Sequence, residues 1–159
     1  AAFASSSGAW NNTEPTSSVV TLGGGGFGTN VSSNDMIMYA FAEVEGFSKF
    51  GSYTGNGSTD GPFVWCGFRP AFFMFKKSSG ADSWEIFDNT RPGYNATDLG
   101  LFPNTADSES TGRNIDILSN GIKQRNANGT TNQSGSTYIF MAFAEHPFGG
   151  DGVVPVPAR

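Results

Sequence analysis

The chain alternates short apolar runs with stretches of Gly, Asn, Ser and Thr. In MIMYAFAE, residues 36–43, Ile37 and Tyr39 fall on one face of an extended chain, whereas Met38 and Ala40 fall on the other. A period of two predicts a β-strand, because successive side chains of a strand point to opposite faces. Both rows are apolar, so we predict a strand that is covered on both sides. Similar runs predict strands at 17–22, 62–68, 71–77, 83–88, 114–118, 121–125 and 137–145.

The chain contains an internal repeat. Residues 30–43 read NVSSNDMIMYAFAE and residues 132–145 read NQSGSTYIFMAFAE, so the two copies align at a constant offset of 102 (142 − 40). A predicted strand and a polar loop precede each copy. We therefore predict two similar hairpins with both AFAE strands at central positions. In these hairpins 17–22 pairs with 36–43, and 121–125 pairs with 137–145.

Each copy of the repeat ends in a glutamate, Glu43 or Glu145. One interpretation places both carboxylates at the rim of the fold, in contact with water. The other pairs them inside the fold with Arg69 or Arg91. The rim is favoured, because a buried charge is costly unless it is well paired.

Turn signals separate several of the runs. Asn120-Gly121 falls between two of them, and Asn-Gly favours a tight hairpin because both residues tolerate positive φ. Pro70 argues for a bend or a sheet edge between 62–68 and 71–77. No run keeps a period of 3.6 over three turns, and the best helical candidate is a single turn at 105–110.

These runs and turns predict an all-β fold, an antiparallel β-sandwich of the jelly-roll or lectin-like kind with an internally repeated hairpin. We predict an N-terminal extension at 1–16, the sandwich domain at 17–148 and a C-terminal tail at 149–159. The polar loops are expected to be flexible and to point outward. They comprise residues 23–33, 104–113 and 126–136.

Composition narrows the class of protein. With 22 Gly, 15 Phe and 14% charged residues, the chain resembles a turn-rich globular domain and not a disordered one. The net charge is −5 and Lys and Arg are scattered, so we expect no nucleic-acid partner. No stretch approaches the ~20 apolar residues of a membrane span, so no membrane insertion is expected. The start, AAFASSSGAW, has no signal-peptide pattern, and we expect an excised or processed fragment.

Residues that could carry redox or metal chemistry are few. Cys66 is the only cysteine, which excludes an intrachain disulfide, and its apolar run FVWCGF favours a small buried side chain over a reactive thiol. His146 is the only histidine and precedes Pro147, so a Ser-His-Asp site is possible but unsupported. We expect no metal and no cofactor.

Three other patterns have a structural and a functional interpretation. Gly23, Gly25 and Gly28 satisfy G-x-G-x-x-G, but the predicted neighbours are strands, so a hairpin loop is favoured over a dinucleotide site. The loop 53–62, YTGNGSTDGP, offers oxygen ligands for Ca²⁺ but lacks the acid density of a known loop. The remaining pattern is a set of aspartates that could supply a glycosidase pair, although any acid-rich β domain offers as many. These are Asp60, Asp82, Asp88 and Asp116.

Three tryptophans could form a platform on which a sugar stacks. Trp65, within FVWCGF, is predicted to lie in the core. Trp10 and Trp84 stay open as candidates. No catalytic, cofactor-binding or metal-binding residue is assigned, and the receptor-binding residues are left unassigned.

Several blocks of the chain resemble a known family. The run AFAEVEGFSKFGSYTGNGSTDGPFVWCGFRPAFFMFKK is similar to a domain of unknown function common in structural proteins of tailed bacteriophages, many of them aquatic. The blocks DNTRPGYN, LFPNT, IDILSNGIKQR and SGSTYIFMAFAEHPFGG follow in the expected order. The resemblance covers the chain from about Trp10 onward. It implies a virion location near the end of fibre-like proteins, and it supplies no catalytic residues.

From these observations we expect a non-enzymatic virion structural protein exposed on the particle, as a distal tail-fibre domain or a capsid decoration, with an adhesion role. The alternatives are a glycan-binding receptor-recognition module and, less favoured, a surface-polysaccharide depolymerase. The expected partners are other virion proteins, a host cell-surface glycan and the protein itself. Strands that are apolar on both faces leave a surplus of apolar surface for an interface. The resemblance to phage structural proteins implies a trimer, so we expect a homotrimer.

Overall fold

The computed structural model describes residues 6–24, 28–92 and 94–147. The chain divides into two compact units, Ala1–Phe41 and Ala42–Arg159. Each unit is described by itself. The predicted limits of the sandwich domain, at 17 and 148, stay a prediction.

The first unit is organised around a short helix, α1 (Ser7–Trp10). The Oγ atom of Ser6 accepts a hydrogen bond from the backbone N–H of Ala9 at 3.2 Å, which caps the first turn. Gly23 lies against this helix, and its N–H donates to the carbonyl of Ala9 at 2.9 Å. A Cβ atom at Gly23 would lie 2.2 Å from the carbonyl oxygen of Ser7, so only glycine fits there. The sequence did not predict this helix.

The two strands predicted in this unit do not form. Residues 17–22 and 36–41 belong to no strand, and residues 36–40 are exposed. The prediction of a covered, central strand at 36–43 is therefore wrong. The physical reason is that a strand satisfies its backbone groups only through neighbouring strands, and an apolar alternation does not supply them.

The second unit contains two antiparallel sheets that pack face to face, which confirms the predicted all-β sandwich. The four-stranded sheet has the order β1-β7-β3-β4, and the three-stranded sheet has the order β2-β6-β5. The strands are β1 (Ser48–Thr54), β2 (Phe63–Trp65), β3 (Pro70–Lys77), β4 (Glu85–Asp88), β5 (Ile115–Leu118), β6 (Gly121–Gln124) and β7 (Thr137–Ala144). A short helix, α2 (Gly129–Asn132), precedes β7.

Two local predictions are confirmed in this unit. Strands β5 and β6 pair antiparallel, with Leu118 opposite Gly121, so the turn lies at the predicted place. At Pro70 the register between β3 and β7 shifts, and pairing is regular again from Phe72. Pro70 therefore marks the expected bend, because proline cannot donate to a ladder.

The second predicted hairpin does not form, because β6 and β7 belong to different sheets. The loop 126–136 carries the chain from one sheet to the other, through α2. It was expected to be flexible and to point outward, but Asn126, Thr131 and Asn132 are buried. Buried polar groups require hydrogen-bond partners, and the partners that these residues find hold the loop inward. The internally repeated hairpin is thus wrong.

The core lies between the two sheets. After the exposed Thr137, the residues of β7 alternate between buried and half-buried, and Ala142 is fully buried. Phe140 of β7 stacks on Phe73 of β3 with ring centroids 5.4 Å apart. The buried apolar cluster comprises Tyr53, Val64, Cys66, Phe68, Phe73, Phe75, Phe87, Ile115, Ile117, Ile122, Tyr138, Phe140, Ala142 and Ala144.

Two further differences from the sequence predictions concern β1 and the stretch 105–110. Strand β1 was not predicted, because SKFGSYT mixes Gly and Ser with only two aromatic residues. The helical turn expected at 105–110 is absent, and most of that stretch is exposed. No helix in the described ranges combines the length and apolarity that crossing a bilayer requires.

Candidate functional site

The outer face of the three-stranded sheet carries two exposed aromatic side chains, Phe63 and Trp65. Their exposed fractions are 43% and 52%, whereas Val64 between them is buried. Residues i and i+2 of a strand lie on the same face, so the two rings form one surface. The prediction that Trp65 lies in the core is therefore wrong. We call Phe63 and Trp65 the aromatic platform.

Two glycines lie close to the rings of the platform. A Cβ atom at Gly121, which lies opposite Trp65 in β6, would come within 3.0 Å of Cζ of Phe63. A Cβ atom at Gly67 would lie 3.1 Å from Cζ2 of Trp65, and Gly67 has a φ of +83° that side chains rarely adopt. Each ring thus has atoms close to a glycine, at a place that a larger residue would crowd.

A cation lies over the platform. The Nζ atom of Lys49 is 5.5 Å from the centroid of the Trp65 ring, within the range of a cation–π contact. The same Nζ lies 2.5 Å from Oε1 of Glu43, and the N–H of Phe50 donates to Oε2 at 3.3 Å. The hydrogen bond from Lys49 lowers the pKa of Glu43, against a smaller opposing effect of burial. Glu43 therefore holds Lys49 in position beside the ring.

A charged rim borders the platform on the same face. Lys123 lies opposite Phe63 in the ladder, and its Nζ is 2.8 Å from Oδ1 of Asp60. Next to it, Nε of Arg125 is 2.5 Å from Oδ2 of Asp116. The hydrogen bond from Lys123 lowers the pKa of Asp60 and keeps this exposed carboxyl ionised. We call these four residues the charged rim.

The platform and the rim together offer apolar ring faces beside charged donors and acceptors. A pyranose sugar presents the same combination, a flat C–H face surrounded by hydroxyl groups. Aromatic side chains contribute large rigid contact area, and carboxylates and guanidinium groups give directed hydrogen bonds. The surface can therefore bind a polar ring compound by stacking and by hydrogen bonding at its edge.

Each of the four predicted aspartates pairs with a cation. Asp60 and Asp116 share Arg125, because its Nη1 lies 3.9 Å from Oδ1 of Asp60 and its Nε lies 2.5 Å from Oδ2 of Asp116. Besides the two in the charged rim, Oδ2 of Asp82 lies 3.3 Å from Nζ of Lys77, and Oδ2 of Asp88 lies 2.5 Å from Nε of Arg91. The structure places two of the four, Asp60 and Asp116, beside the platform and the other two elsewhere.

For Glu43 and Glu145, the structure agrees partly with each of the two interpretations, a position at the rim and a pairing with Arg69 or Arg91. Oε2 of Glu145 lies 2.9 Å from Nε of Arg69, and both side chains are partly exposed. Glu43 pairs with Lys49, while Arg91 pairs with Asp88 and Glu109. The carboxylates lie at the surface, and one of them also has a predicted arginine as its partner.

Polar groups of the loop 53–62 form hydrogen bonds with one another and with Asn132. The N–H of Ser58 donates to Oδ1 of Asn56 at 3.0 Å, and the N–H of Asp60 donates to Oγ of Ser58 at 3.1 Å. The amide of Asn132 donates to the carbonyl of Ser58 at 2.8 Å. Within the described ranges, no group of three or more His, Cys, Asp or Glu is suited to hold a metal ion. That function needs no metal or cofactor stays a prediction.

The remaining candidates from the sequence are the single cysteine, the single histidine, two tryptophans and the glycine pattern. Cys66 is buried, and burial raises the pKa of its thiol to about 12, which confirms it as a small core residue. His146 is partly exposed, with Nε2 4.0 Å from Oε2 of Glu145. Trp10 and Trp84 are half-buried. Of the glycine pattern, Gly25 lies outside the described residues.

One buried acid escaped the sequence analysis. Glu85 is buried, and its Oε1 accepts a hydrogen bond from Nε of Arg113 at 2.8 Å, while Oε2 has no partner in the described part of the chain. Burial raises the pKa of this carboxyl, against the pull of Thr130 and Arg113. Because the side chain is enclosed, it does not contact a ligand on the outer faces, and it is not part of the platform.

Sequence analysis also missed most of the platform. Phe63, Lys49 and Gly67 were not predicted to have a role, and Gly121 was predicted only as a turn residue. The available signal was the triplet Phe63-Val64-Trp65, since strict alternation puts Val64 on one face and both aromatic residues on the other. The interpretation of residues 63–68 as apolar on both faces concealed this signal.

The fold and this surface define an all-β sandwich domain with an exposed aromatic surface beside charged groups. The family described as a domain of unknown function (DUF7483) matches residues 1–147. The chain therefore belongs to this family. Comparison with curated proteins and with solved structures finds no match.

Proposed function

We propose that this chain is a structural module exposed on the virion of a tailed bacteriophage, in a distal tail fibre or as a capsid decoration, and that it adheres to a host cell-surface glycan. The observation that carries the adhesion role is the aromatic platform, two exposed rings backed by glycine on the outer face of a sheet. The virion location rests on the resemblance of its sequence blocks to phage structural proteins.

A glycan suits the platform better than an apolar protein surface does. Protein interfaces exclude charge from their centre, whereas here Lys49 lies over Trp65 and Lys123 stands opposite Phe63. The cations are tied to Glu43 and Asp60, so their geometry is fixed before a ligand arrives. Pre-positioned polar groups lower the ordering cost of binding. They would meet the hydroxyl groups of a sugar stacked on the rings.

Binding is tested with purified host capsular and lipopolysaccharide oligosaccharides, by calorimetry and by tryptophan fluorescence, to which Trp10 and Trp84 contribute besides Trp65. We expect Trp65→Ala to weaken the binding of the best oligosaccharide at least about tenfold, or ~1.4 kcal/mol, and Phe63→Ala to weaken it less. Tyr94→Ala is the matched control, because Tyr94 is 83% exposed on the loop after β4. Equal affinity of Trp65→Ala and the native protein would contradict the platform.

Incubation with the same oligosaccharides distinguishes a binding module from a depolymerase. A binding module leaves their reducing ends unchanged over long incubation, whereas a depolymerase releases new ones. Immunogold labelling of intact particles, with mass spectrometry of purified virions, tests the location. Absence of the protein from purified particles would overturn the virion assignment and leave the glycan measurement unaffected.

We also propose that the module assembles as a homotrimer, together with other virion proteins, through the outer face of the four-stranded sheet. The facing rows of β3 and β7 carry half-buried apolar side chains with Lys76 at one end, and apolar patches of this kind usually mark interfaces. Met74 and Met141 lie opposite each other at its centre. Light scattering at micromolar concentration should give a trimer mass for the native chain and a monomer mass for the double variant Met74→Lys, Met141→Lys. A monomeric native chain would contradict the proposal.

A further inference from the structure

The second unit shows where the two strands of the repeated element lie in a complete sandwich. There β6 is flanked by β2 and β5, and β7 is flanked by β1 and β3. Both are central strands, one in each sheet, and neither pairs with the other. The repeated element is therefore not an independent hairpin. It is a pair of strands that other strands of a sandwich must flank and cover, with β1 and β3 on either side of β7 and β2 on one side of β6.

The N-terminal copy of this element has apolar side chains without a covering layer. Ile37 and Tyr39 are each 80% exposed, and residues 36–40 make no backbone hydrogen bond within the described chain. At the same offset of 102, Met38 aligns with Phe140 and Ala40 with Ala142, both of which are buried. An extended apolar segment with open backbone groups is a template for pairing with another sheet.

A hydrogen bond in this copy resembles one made by the aligned residue of the second unit. In the second unit the amide of Asn132 donates to the carbonyl of Asn126 at 2.7 Å and to that of Ser58 at 2.8 Å. The aligned Asn30 donates to the carbonyl of Gly23 at 3.0 Å, close to the position equivalent to Asn126. The hydrogen bond to a residue earlier in the same copy is thus present in both units. In the second unit the other acceptor, the carbonyl of Ser58, lies in the loop that follows β1.

We propose that residues 17–43 are the β6- and β7-equivalent strands of another sandwich unit of this same kind, and that their partner is a stretch of chain equivalent to residues 42–102, which supplies β1-, β2-, β3- and β4-like strands. Such a partner would place a β1-like and a β3-like strand on either side of 36–43. It would also bring an equivalent of Ser58 to Asn30. The inference is independent of the proposed function.

The sandwich of a second identical chain does not provide this place. In the described sandwich, β7 already lies between β1 and β3 and pairs with both along its length. Insertion of 36–43 would have to displace it. The partner must therefore offer β1- and β3-like strands whose central neighbour is vacant, as an additional copy of 42–102 does.

The test is an extended chain in which a second copy of residues 42–102 precedes Ala1, so that Ala1 follows in the register of position 103. Hydrogen exchange is measured on this chain and on the chain of 159 residues. In the shorter chain we expect amides 36–40 to exchange at nearly unprotected rates. In the extended chain we expect them to slow at least about 100-fold. The amides of β7 serve as the internal reference for folding.

Two variants of the extended chain separate specific pairing from loose collapse. Met38→Asp replaces the residue aligned with buried Phe140, and it should abolish the protection at 36–40 while β7 stays protected. Tyr39→Ser is the matched control, since Tyr39 aligns with half-buried Met141, and it should keep the protection.

Three outcomes would overturn the inference. One is strong protection of 36–40 in a monomer of the shorter chain, or in an oligomer of it, because a partner equivalent to 42–102 would then be unnecessary. Another is an extended chain with a folded β7 and unprotected 36–40. The third is protection that survives Met38→Asp.

Discussion

Residues 38–43, MYAFAE, and residues 140–145, FMAFAE, are nearly the same peptide in two different environments. In the second unit Ala142 is fully buried, whereas the aligned Ala40 is exposed. The chemical tendency to form a strand is shared, so it does not explain the difference. What differs is the presence of neighbours, since β7 has β1 on one side and β3 on the other.

The comparison teaches that a strand of this composition is a component of a sheet and not a stable unit. Its backbone groups need ladders on both sides, and its apolar rows need layers above and below. Measurements on matched pairs of variants, one in each copy, can break or sharpen this conclusion.

The largest expected difference follows from a charge in the middle of each copy. Ala142→Asp puts a carboxylate between the two sheets, and we expect it to lower the free energy of unfolding by about 3–5 kcal/mol or to prevent folding. Ala40→Asp should change it by less than ~0.5 kcal/mol. Urea denaturation followed by tryptophan fluorescence measures both. Similar losses in the two variants would contradict the difference in environment.

The next difference follows from truncating a large side chain. Phe140 stacks on Phe73, and Phe140→Ala leaves a cavity that should cost about 3–5 kcal/mol. Met38→Ala, at the aligned position, should cost less than ~0.5 kcal/mol. Phe140→Leu controls for shape and should retain much of the stability. If Met38→Ala were as costly as Phe140→Ala, residue 38 would be buried in solution.

A smaller difference is expected for the aligned asparagines. Asn132→Ala leaves the buried carbonyl of Asn126 and the part-buried carbonyl of Ser58 without their donor, which should cost about 1–3 kcal/mol. Asn30→Ala removes one contact at the surface and should cost less than ~0.5 kcal/mol. Thermal unfolding resolves the two. An Asn132→Ala variant as stable as the native chain would show that water replaces the amide.

The smallest effect concerns pH at the end of the first copy. The hydrogen bond from Lys49 lowers the pKa of Glu43 in the folded chain. The ion pair of these two residues therefore stabilises the fold at pH values above the ordinary pKa of a glutamate. This stabilisation is lost as the pH falls through the lowered pKa. Because Glu43 is largely exposed, this contribution should stay below ~0.5 kcal/mol.

Carboxyl NMR titration measures this pKa directly. We expect the midpoint of Glu43 to lie below that of an unpaired glutamate, and Lys49→Met to move it upward. An unchanged midpoint in Lys49→Met would mean that the ion pair does not form in solution. The same variant removes the cation over Trp65, so a change in tryptophan fluorescence that is absent in a Trp65→Phe background reports whether the pair also positions the ring.

The sequence by itself determined the fold class and much of the local structure. Alternating apolar runs predicted strands that the structure contains at β3, β4, β5, β6 and β7, and the turn at Asn120-Gly121 fell where expected. Cys66 was recognised as a core residue because its neighbours are apolar. These features depend on residues that are close in the chain, where side-chain period and turn chemistry act directly.

Only the tertiary structure decided how these elements combine. It placed β6 and β7 in opposite sheets, turned Trp65 outward, assembled the charged rim from residues far apart in sequence, and left 36–40 exposed. Alternation states that a strand has two faces, but not which face meets the core or whether a neighbour is present. Those outcomes depend on pairing between distant segments, and the energy of that pairing is absent from any local pattern. For this reason two nearly identical peptides in one chain have opposite environments.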